Sequence, residues 1–343
     1  MSEKGLFHLS SSPHFTSKWN TQKIMGLVLI SLLPETIYGI YLFGVPALIT
    51  ILVSVATCVL TEFVFQKATK QKVTVSNLSA AVTGLLLALV CPSTVPFWAV
   101  MIADVVAIVI AKGLFGGIGS NVFNPALTGR AFLFISFPAV MGATWAAPHQ
   151  IDAISSATIL SALKNGSATG IDYLQYFIGD RAGCIGETSI LLILISFIFL
   201  LGFKIIDWRA PAGMVGTVVV ASAIVGLTKD FTIASVYTEI LNNLLTGGLL
   251  FGAAFMITDY ATTPVTKPGR LIFGIGCGLI TFLIRKFGGY PEGVMFSILI
   301  MNAVAPFLNN LTTRMYGYGK KGVRKANHAK IAREFDLHEK SKI

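Results

Sequence analysis

Charge is scarce in this chain. Only 12% of its 343 residues are charged while 54% are hydrophobic, and the mean hydropathy is +0.74. Soluble domains carry about twice that share of charge, so a soluble globular reading is excluded. Cysteine is sparse too: Cys58, Cys91, Cys184 and Cys277 show no C-x-x-C spacing, which leaves no disulfide framework and no cluster-binding motif to read. No His/Cys/Asp set has metal-ligand spacing and no Ser/His/Asp arrangement stands out, so no metal site and no hydrolytic triad is expected. The first twenty residues, Met1 to Asn20, lack an apolar core followed by a small-residue cleavage site, which argues against a removable signal peptide and for a cytoplasmic start. A net charge of +10 raises nucleic acid as a partner. The basic residues, however, sit in short clusters between apolar runs and in the tail from Arg314 to Lys342, with no nucleic-acid motif beside them, so no nucleic-acid binding is expected.

What is abundant is long apolar runs. Segments long enough to cross ~30 Å of hydrocarbon begin near Ile24, Val45, Leu78, Val95 and Val122, and again near Ser189, Pro211, Leu241, Leu271 and Val294. The expected fold is an all-α integral membrane protein of about ten transmembrane helices in two halves of about five. Its divisions are a cytoplasmic amino terminus and first repeat over 1–142, an outer loop over 143–187, a second repeat over 188–312 and a basic cytoplasmic tail over 313–343. Lys67, Lys70, Lys72, Lys204, Arg209 and the tail all fall on one side if the amino terminus is cytoplasmic. Arg285 and Lys286 break that rule, through either a bound anion or a weakly constrained loop. Trp19, Trp98, Trp145 and Trp208, with His14 and Tyr290, lie near span ends and read as interfacial anchors.

The halves echo one another. Thr83-Gly84-Leu85-Leu86-Leu87 matches Thr246-Gly247-Gly248-Leu249-Leu250, and Lys112-Gly113-Leu114-Phe115-Gly116-Gly117 matches Arg285-Lys286-Phe287-Gly288-Gly289. With an odd number of spans between copies, the echo predicts an inverted-topology repeat whose Gly-Gly segments interrupt helices and line two pockets, one facing each side. Close helix packing through small residues is the competing explanation. Such a scaffold is by itself a channel or secondary-transporter architecture. Glu35, Glu62, Asp104 and Asp259 lie within or near spans, and each is a candidate ion-path acid because a charge in hydrocarbon is costly; capping also accounts for Asp259.

Within the outer loop stands Asp152-Ala153-Ile154-Ser155-Ser156-Ala157-Thr158. Read alone it is a small-residue turn or helix start, with Asp152 or Ser155 as a cap. It resembles the Asp-x-x-Ser/Thr-Gly-Ala-Thr flavinylation signature, with Ser156 where glycine is usual. Further segments extend the resemblance over nearly the whole chain: Ser12-Pro13-His14, Phe115-Gly116-Gly117 with Asn121-x-Phe123-Asn124-Pro125-Ala126, Gly186-Glu187-Thr188-Ser189, Pro291-Glu292-Gly293-Val294 and Met301-Asn302-Ala303. Together they are similar to the family that joins the D subunit of the Rnf complex to the B subunit of the sodium-pumping NADH:quinone oxidoreductase. The short amino terminus favours the Rnf branch, with a homologue of the quinone-reductase B subunit as the alternative.

The resemblance implies covalent FMN on the Thr158 hydroxyl through a phosphoester, installed by a flavin transferase, and a noncovalent riboflavin on the cytoplasmic side. It also implies a bacterial or archaeal inner membrane, and partner subunits with iron–sulfur centres and flavins. The implied activity is ferredoxin:NAD electron transfer coupled to Na⁺ or H⁺ movement. The loops are too short for a Rossmann unit, so NAD and ferredoxin must meet other subunits. For the outer flavin the repeat and the charge anomaly nominate Arg285, Glu292 and Gly247, with an Arg–Glu surface pair as the alternative. For the inner one, Asn121 and Asn124 offer amides suited to an isoalloxazine edge, with Thr83 and Gly117 beside them; helix capping by Asn is an equal competitor.

Overall fold

The computed structural model describes residues 19–142, 145–155, 173–230, 232–289 and 292–313. A helix stands at each place where the sequence predicts an apolar span. In chain order they are α1 (Thr21–Ser31), α2 (Leu33–Phe43), α3 (Val45–Ala68), α4 (Ser79–Leu89), α5 (Phe97–Val105), α6 (Pro125–Ser136), α7 (Ile190–Gly202), α8 (Arg209–Asp230), α9 (Ile233–Leu245), α10 (Leu249–Met256), α11 (Lys267–Phe287) and α12 (Val294–Thr313).

Lengths depart from uniform spans. Among the described residues, four stretches are long and apolar enough to cross a membrane: Thr21–Phe43, Val45–Ala68, Arg209–Thr228 and Val294–Thr312. A fifth is the pair α9 and α10 taken together, bent by 62° at their junction. Of the other expected spans, α11 runs unbroken for 21 residues, while the rest are cut short or broken. Helix α4 has 11 residues and α7 has 13, about 17 to 20 Å at 1.5 Å per residue, well short of the hydrocarbon thickness. Helix α5 passes into a π-helical segment, Val106–Gly113, marked by the five-residue bond from Leu114 N–H to Val109 O. Short helices leave backbone ends inside the bundle, and those ends must meet protein groups.

The loop between the halves adds a feature that helical periodicity alone could not predict. Trp145–Ala147 and Gln150–Ser155 pair antiparallel, Trp145 opposite Ser155, with an irregularity after Ala146. Pro148 interrupts any helix here, and the chain reverses through His149 at φ 59°. The turn is pinned to the bundle by His149 N–H to Leu42 O at 3.0 Å. Asp152 thus lies within a strand and Ser155 ends it.

The packing is inside-out relative to a water-soluble protein. On α3 the buried stripe is Ser54, Cys58, Glu62 and Gln66, spaced every four residues, while Leu52, Leu60 and Val64 on other faces are each at least 60% exposed. Apolar outside and polar inside is the pattern of a helix solvated by lipid tails. Glycines allow the closest approaches: a Cβ on Gly84 of α4 would stand 2.8 Å from Ser54 O of α3. The bundle has two ends. One carries the loops 69–78, 114–124, 203–208 and 257–266; the other carries 90–96, the β-hairpin, 179–189 and 288–293.

Candidate functional site

At the end that holds the basic loops, a cavity of about 540 Å³ opens between the halves. Its wall combines apolar side chains (Met25, Val28, Val82, Leu86, Leu200, Phe255) with polar ones converging from helix ends (Ser79, Thr83, Lys112, Asn121, Asn124, Asp259). That mixture and size suit a small-molecule ligand held by a flat apolar body and a few placed polar groups.

Local structure explains why those polar groups are there. Asn124 ends a loop in extended conformation and caps α6, its Oδ1 accepting from Leu127 N–H at 3.2 Å, with Pro125 following. Its Nδ2 donates to Met256 O at 3.2 Å, tying α6 to the end of α10 in the other half. Both functions of the Asn124 amide are therefore engaged within the protein, the capping arrangement. Asn121 donates to Phe123 O at 3.2 Å and is buried. Thr83 bonds back to Ser79 O at 3.0 Å and faces the cavity. Gly117, at φ 91° in an open turn, is off the wall, where Gly119 stands instead. Asp259 caps its own turn, accepting from Ala261 N–H at 3.4 Å and Thr262 Oγ1 at 3.1 Å. At the same time it lines the cavity.

Behind the cavity wall runs the polar stripe of α3. Lys112, turned inward by the π-helical segment and 3% exposed, pairs with Glu62 Oε1 at 2.8 Å and donates to Ser79 Oγ at 2.6 Å. Gln66 Nε2 bridges Glu62 and Thr74. One turn further in, Asp104 Oδ1 meets Ser54 Oγ at 2.7 Å and Cys58 Sγ at 3.3 Å. Glu35, at the start of α2, is 2% exposed, and neither carboxylate oxygen has a hydrogen-bond partner among the described residues. Of the candidate ion-path acids, Glu62 lies on the polar stripe of α3 and Asp104 of α5 packs against that stripe, whereas Glu35 and Asp259 stand elsewhere.

The opposite end holds a second charged cluster. Arg130, from the middle of α6, reaches Glu292 Oε2 at 2.7 Å and Glu187 Oε1 at 3.3 Å. Glu292 also accepts Gly248 N–H at 3.1 Å, the first amide past the α9–α10 break. Arg285 donates to Asn243 O at 2.7 Å and Thr246 O at 3.3 Å, satisfying carbonyls that the end of α9 leaves open. Arg181 donates to Leu245 O and to Glu187 O. The break itself is made by Gly247 at φ 68°, a conformation glycine takes without strain. Arg285, Glu292 and Gly247 are thus brought together as a latch on a broken helix. Arg285 is 6% exposed, so it does not form the surface ion pair that its spacing from Glu292 allows. Sequence reasoning misses Arg130 and Arg181. The available signal for Arg130 is a lone arginine amid Pro-Ala-Leu-Thr-Gly-Arg-Ala-Phe-Leu-Phe, since intramembrane cations are functional or structural by default.

Thr158, Ser156 and Ala157 lie outside the described residues; of the segment that resembles the flavinylation signature only Asp152 to Ser155 is described, in the second strand of the hairpin. Among the described residues no group of His, Cys, Asp and Glu is arranged to hold a metal ion.

The profile of the NQR2, RnfD, RnfE family matches residues 8–317. The D subunit of the Na(+)-translocating ferredoxin:NAD(+) oxidoreductase complex of Acetobacterium woodii is 42% identical, over 91% of this chain and 96% of its own length. The D subunit of the proton-translocating ferredoxin:NAD(+) oxidoreductase complex of Clostridium ljungdahlii is 40% identical, over 90% and 96%. The D subunit of the ion-translocating oxidoreductase complex of Stutzerimonas stutzeri is 36% identical, over 88% and 94%. With the profile and these relatives covering nearly all of it, the chain belongs to the NQR2, RnfD, RnfE family.

Proposed function

We propose that this chain is a membrane electron-transfer subunit of an ion-translocating ferredoxin:NAD oxidoreductase. In this reading it carries FMN as a phosphoester on Thr158 and a noncovalent flavin, riboflavin, in the cavity between the halves. The observation that carries the reading is the cavity itself: it lies where the loop segment Asn121 to Ala126 meets the end of α10, and it is lined by the polar groups that the sequence nominates for a flavin edge. A flavin held there supplies one- and two-electron transfer, with the protein setting position and electronics.

The residues fit that ligand. Phe255, Met25, Val28 and Leu86 offer apolar surface for a ring system, while Lys112 offers a donor, and the Thr83 hydroxyl oxygen and the Asn121 amide further polar atoms, at its margin. Lys112 favours negative charge in the cavity, tempered by its pairing with Glu62. Iron–sulfur and flavin-bearing partner subunits would deliver and remove electrons, and a flavin transferase would modify Thr158.

The same reading assigns about ten membrane segments in two inverted halves, with both termini in the cytoplasm. Supporting it, Lys112 and Arg285, equivalent in the echo, are both buried cations at helix ends, and they stand at opposite ends of the bundle. The Gly84 and Gly247 segments differ, because Gly84 packs inside α4 while Gly247 breaks a helix.

The test is flavin fluorescence of the chain on a denaturing gel, purified from its native membrane with the transferase present. A fluorescent band lost in Thr158→Ala, with riboflavin released from the native complex on denaturation, is the expected result. A dark wild-type band and no released flavin would favour the transporter reading of the inverted-repeat scaffold.

A further inference from the structure

The Asp104 carboxyl has a hydrogen-bond geometry that only one protonation state satisfies. Ser54 Oγ stands 2.8 Å from Gly84 O and 2.7 Å from Asp104 Oδ1. A serine hydroxyl has one proton, and a backbone carbonyl accepts only. If Ser54 gives its proton to Gly84 O, the short contact to Asp104 needs a proton from Asp104. If Asp104 were ionised, Ser54 would have to turn toward it, leaving Gly84 O and Ser54 Oγ as two acceptors pressed together. They cannot move apart easily, because the glycine lets α4 and α3 touch backbone to backbone there. The second oxygen, Oδ2, has no hydrogen-bond partner among the described residues, and Asp104 is 0% exposed. A carboxylate with an unpartnered oxygen in an apolar interior is costly, whereas a neutral acid tolerates it.

The groups facing this acid make a path. From α3 come Cys58, whose Sγ is 3.3 Å from Asp104 Oδ1, and Glu62 one turn beyond. From the π-helical segment comes Lys112, paired with Glu62 and lining the cavity. The loop after α4 contributes the Cys91 thiol; α6 contributes Arg130, engaged with Glu187 and Glu292; α4 contributes no titratable side chain. Glu62 Oε2 is likewise unpartnered among the described residues, so it has room to take a proton.

We propose that Asp104 is a proton-exchanging site, coupled through Glu62 and Lys112 to the charge of the group bound in the cavity. When that group gains an electron from a one-electron donor of the complex, Asp104 gives its proton to Glu62. The O–H bond at Asp104 breaks as its proton passes to the Cys58 sulfur at 3.3 Å, the Cys58 S–H proton passes on one turn to Glu62 Oε2, and Lys112, freed of its counter-charge, balances the new negative charge. No electron passes through these side chains. On reoxidation the proton returns to Asp104 by the same route. The coupling rests on the flavin reading of the cavity; the protonated state of Asp104 does not.

The test is infrared spectroscopy of the purified complex at neutral pH, static and as dithionite-reduced minus oxidised difference, with flavin content assayed in the same samples. The expected static spectrum has a deuterium-sensitive protonated-carboxyl band that is lost in Asp104→Asn and kept in Glu35→Gln. The expected difference spectrum shows that band decreasing on reduction. Should Asp104→Asn not assemble, Ser54→Ala serves, shifting the band by removing its hydrogen-bond acceptor. A wild-type spectrum without an Asp104 band overturns the proposal whatever the flavin content. A band indifferent to reduction in flavin-loaded complex overturns the coupling and leaves the flavin reading intact. A complex without noncovalent flavin overturns that reading and the coupling together. A band displaced by Na⁺ in place of deuterium would make Asp104 a cation ligand and overturn proton exchange.

Discussion

Arg130 shows how much one side chain can hold in a membrane interior. It neutralises two carboxylates, Glu187 at 7% and Glu292 at about a fifth exposed, in one planar guanidinium. Removing it strands both, and breaking a buried pair from one side costs about 3–5 kcal/mol. Arg130→Leu should therefore lower the thermal midpoint of the solubilised complex sharply. Arg130→Lys should rescue little, because an ammonium cannot present two forks at once. If Arg130→Leu leaves the midpoint unchanged, the network is not structural. Asp207 is the counterpart in water. Partial burial pushes its carboxyl up, but the Arg209 amide and the Arg270 and Arg209 guanidinium groups, at 2.9 to 3.1 Å, hold it below the usual carboxylate range. A depressed folded value means the stabilisation is present above the unfolded value of about 3.9 and is lost as pH falls through the folded one. Asp207→Asn should cost under about 1 kcal/mol at neutral pH, as exposed pairs do. Melting curves of mutant and wild type should converge in acid.

At the scale of elements, α3 and α4 act as one unit because Gly84 removes the side chain that would separate them. In Gly84→Leu the new Cβ would press on Ser54 O and on Val55 Cα at 2.9 Å; backbone cannot swing aside as a side chain can. Helix α4 also supplies Ser79, Val82, Thr83 and Leu86 to the cavity wall. Gly84→Leu should thus lose the proposed noncovalent flavin while keeping the covalent fluorescent band proposed for Thr158, which does not draw on the α3–α4 contact. Loss of both would mean general misfolding. What is legible in the sequence follows the same division. The starts of most helices can be read, since each is set by a local apolar run; the span expected from Leu241 instead begins at Ile233 and breaks before Leu249. The truncations of α4 and α7 and the π-helical turn that brings Lys112 inward cannot, because they depend on which neighbours satisfy the open backbone. Asn124 stands out in the sequence and stands on the cavity wall, yet its amide caps a helix, the use that Asn-Pro at a helix start favours. Arg285 stands out for its misplaced charge, and its partners are the carbonyls of α9, a contact that no spacing along the chain announces.

For the whole molecule, the two ends differ in the chemistry they hold, and the proposed electron path depends on which end faces the cytoplasm. The cavity, Lys112 and the exposed Lys67, Lys70 and Lys72 share one end; the hairpin, Arg130 and Arg285 share the other. Positive-inside asymmetry argues for a cytoplasmic position of the first. Lys286, exposed near the second end, argues the other way, but the basic majority outweighs a single misplaced cation. Accessibility of introduced cysteines decides it cleanly, because Cys58, Cys91, Cys184 and Cys277 are all buried and supply little background. In right-side-out vesicles a membrane-impermeant maleimide should label Gly289→Cys and spare Gln71→Cys; in inverted vesicles the pattern should reverse. Both positions are exposed, so neither fails for want of access. If both label from one side, an odd number of crossings does not separate them and the inverted five-plus-five arrangement falls. If each labels from the side opposite to that expected, the arrangement survives turned over. The cavity would then open outward, away from the cytoplasmic electron donors it is proposed to serve.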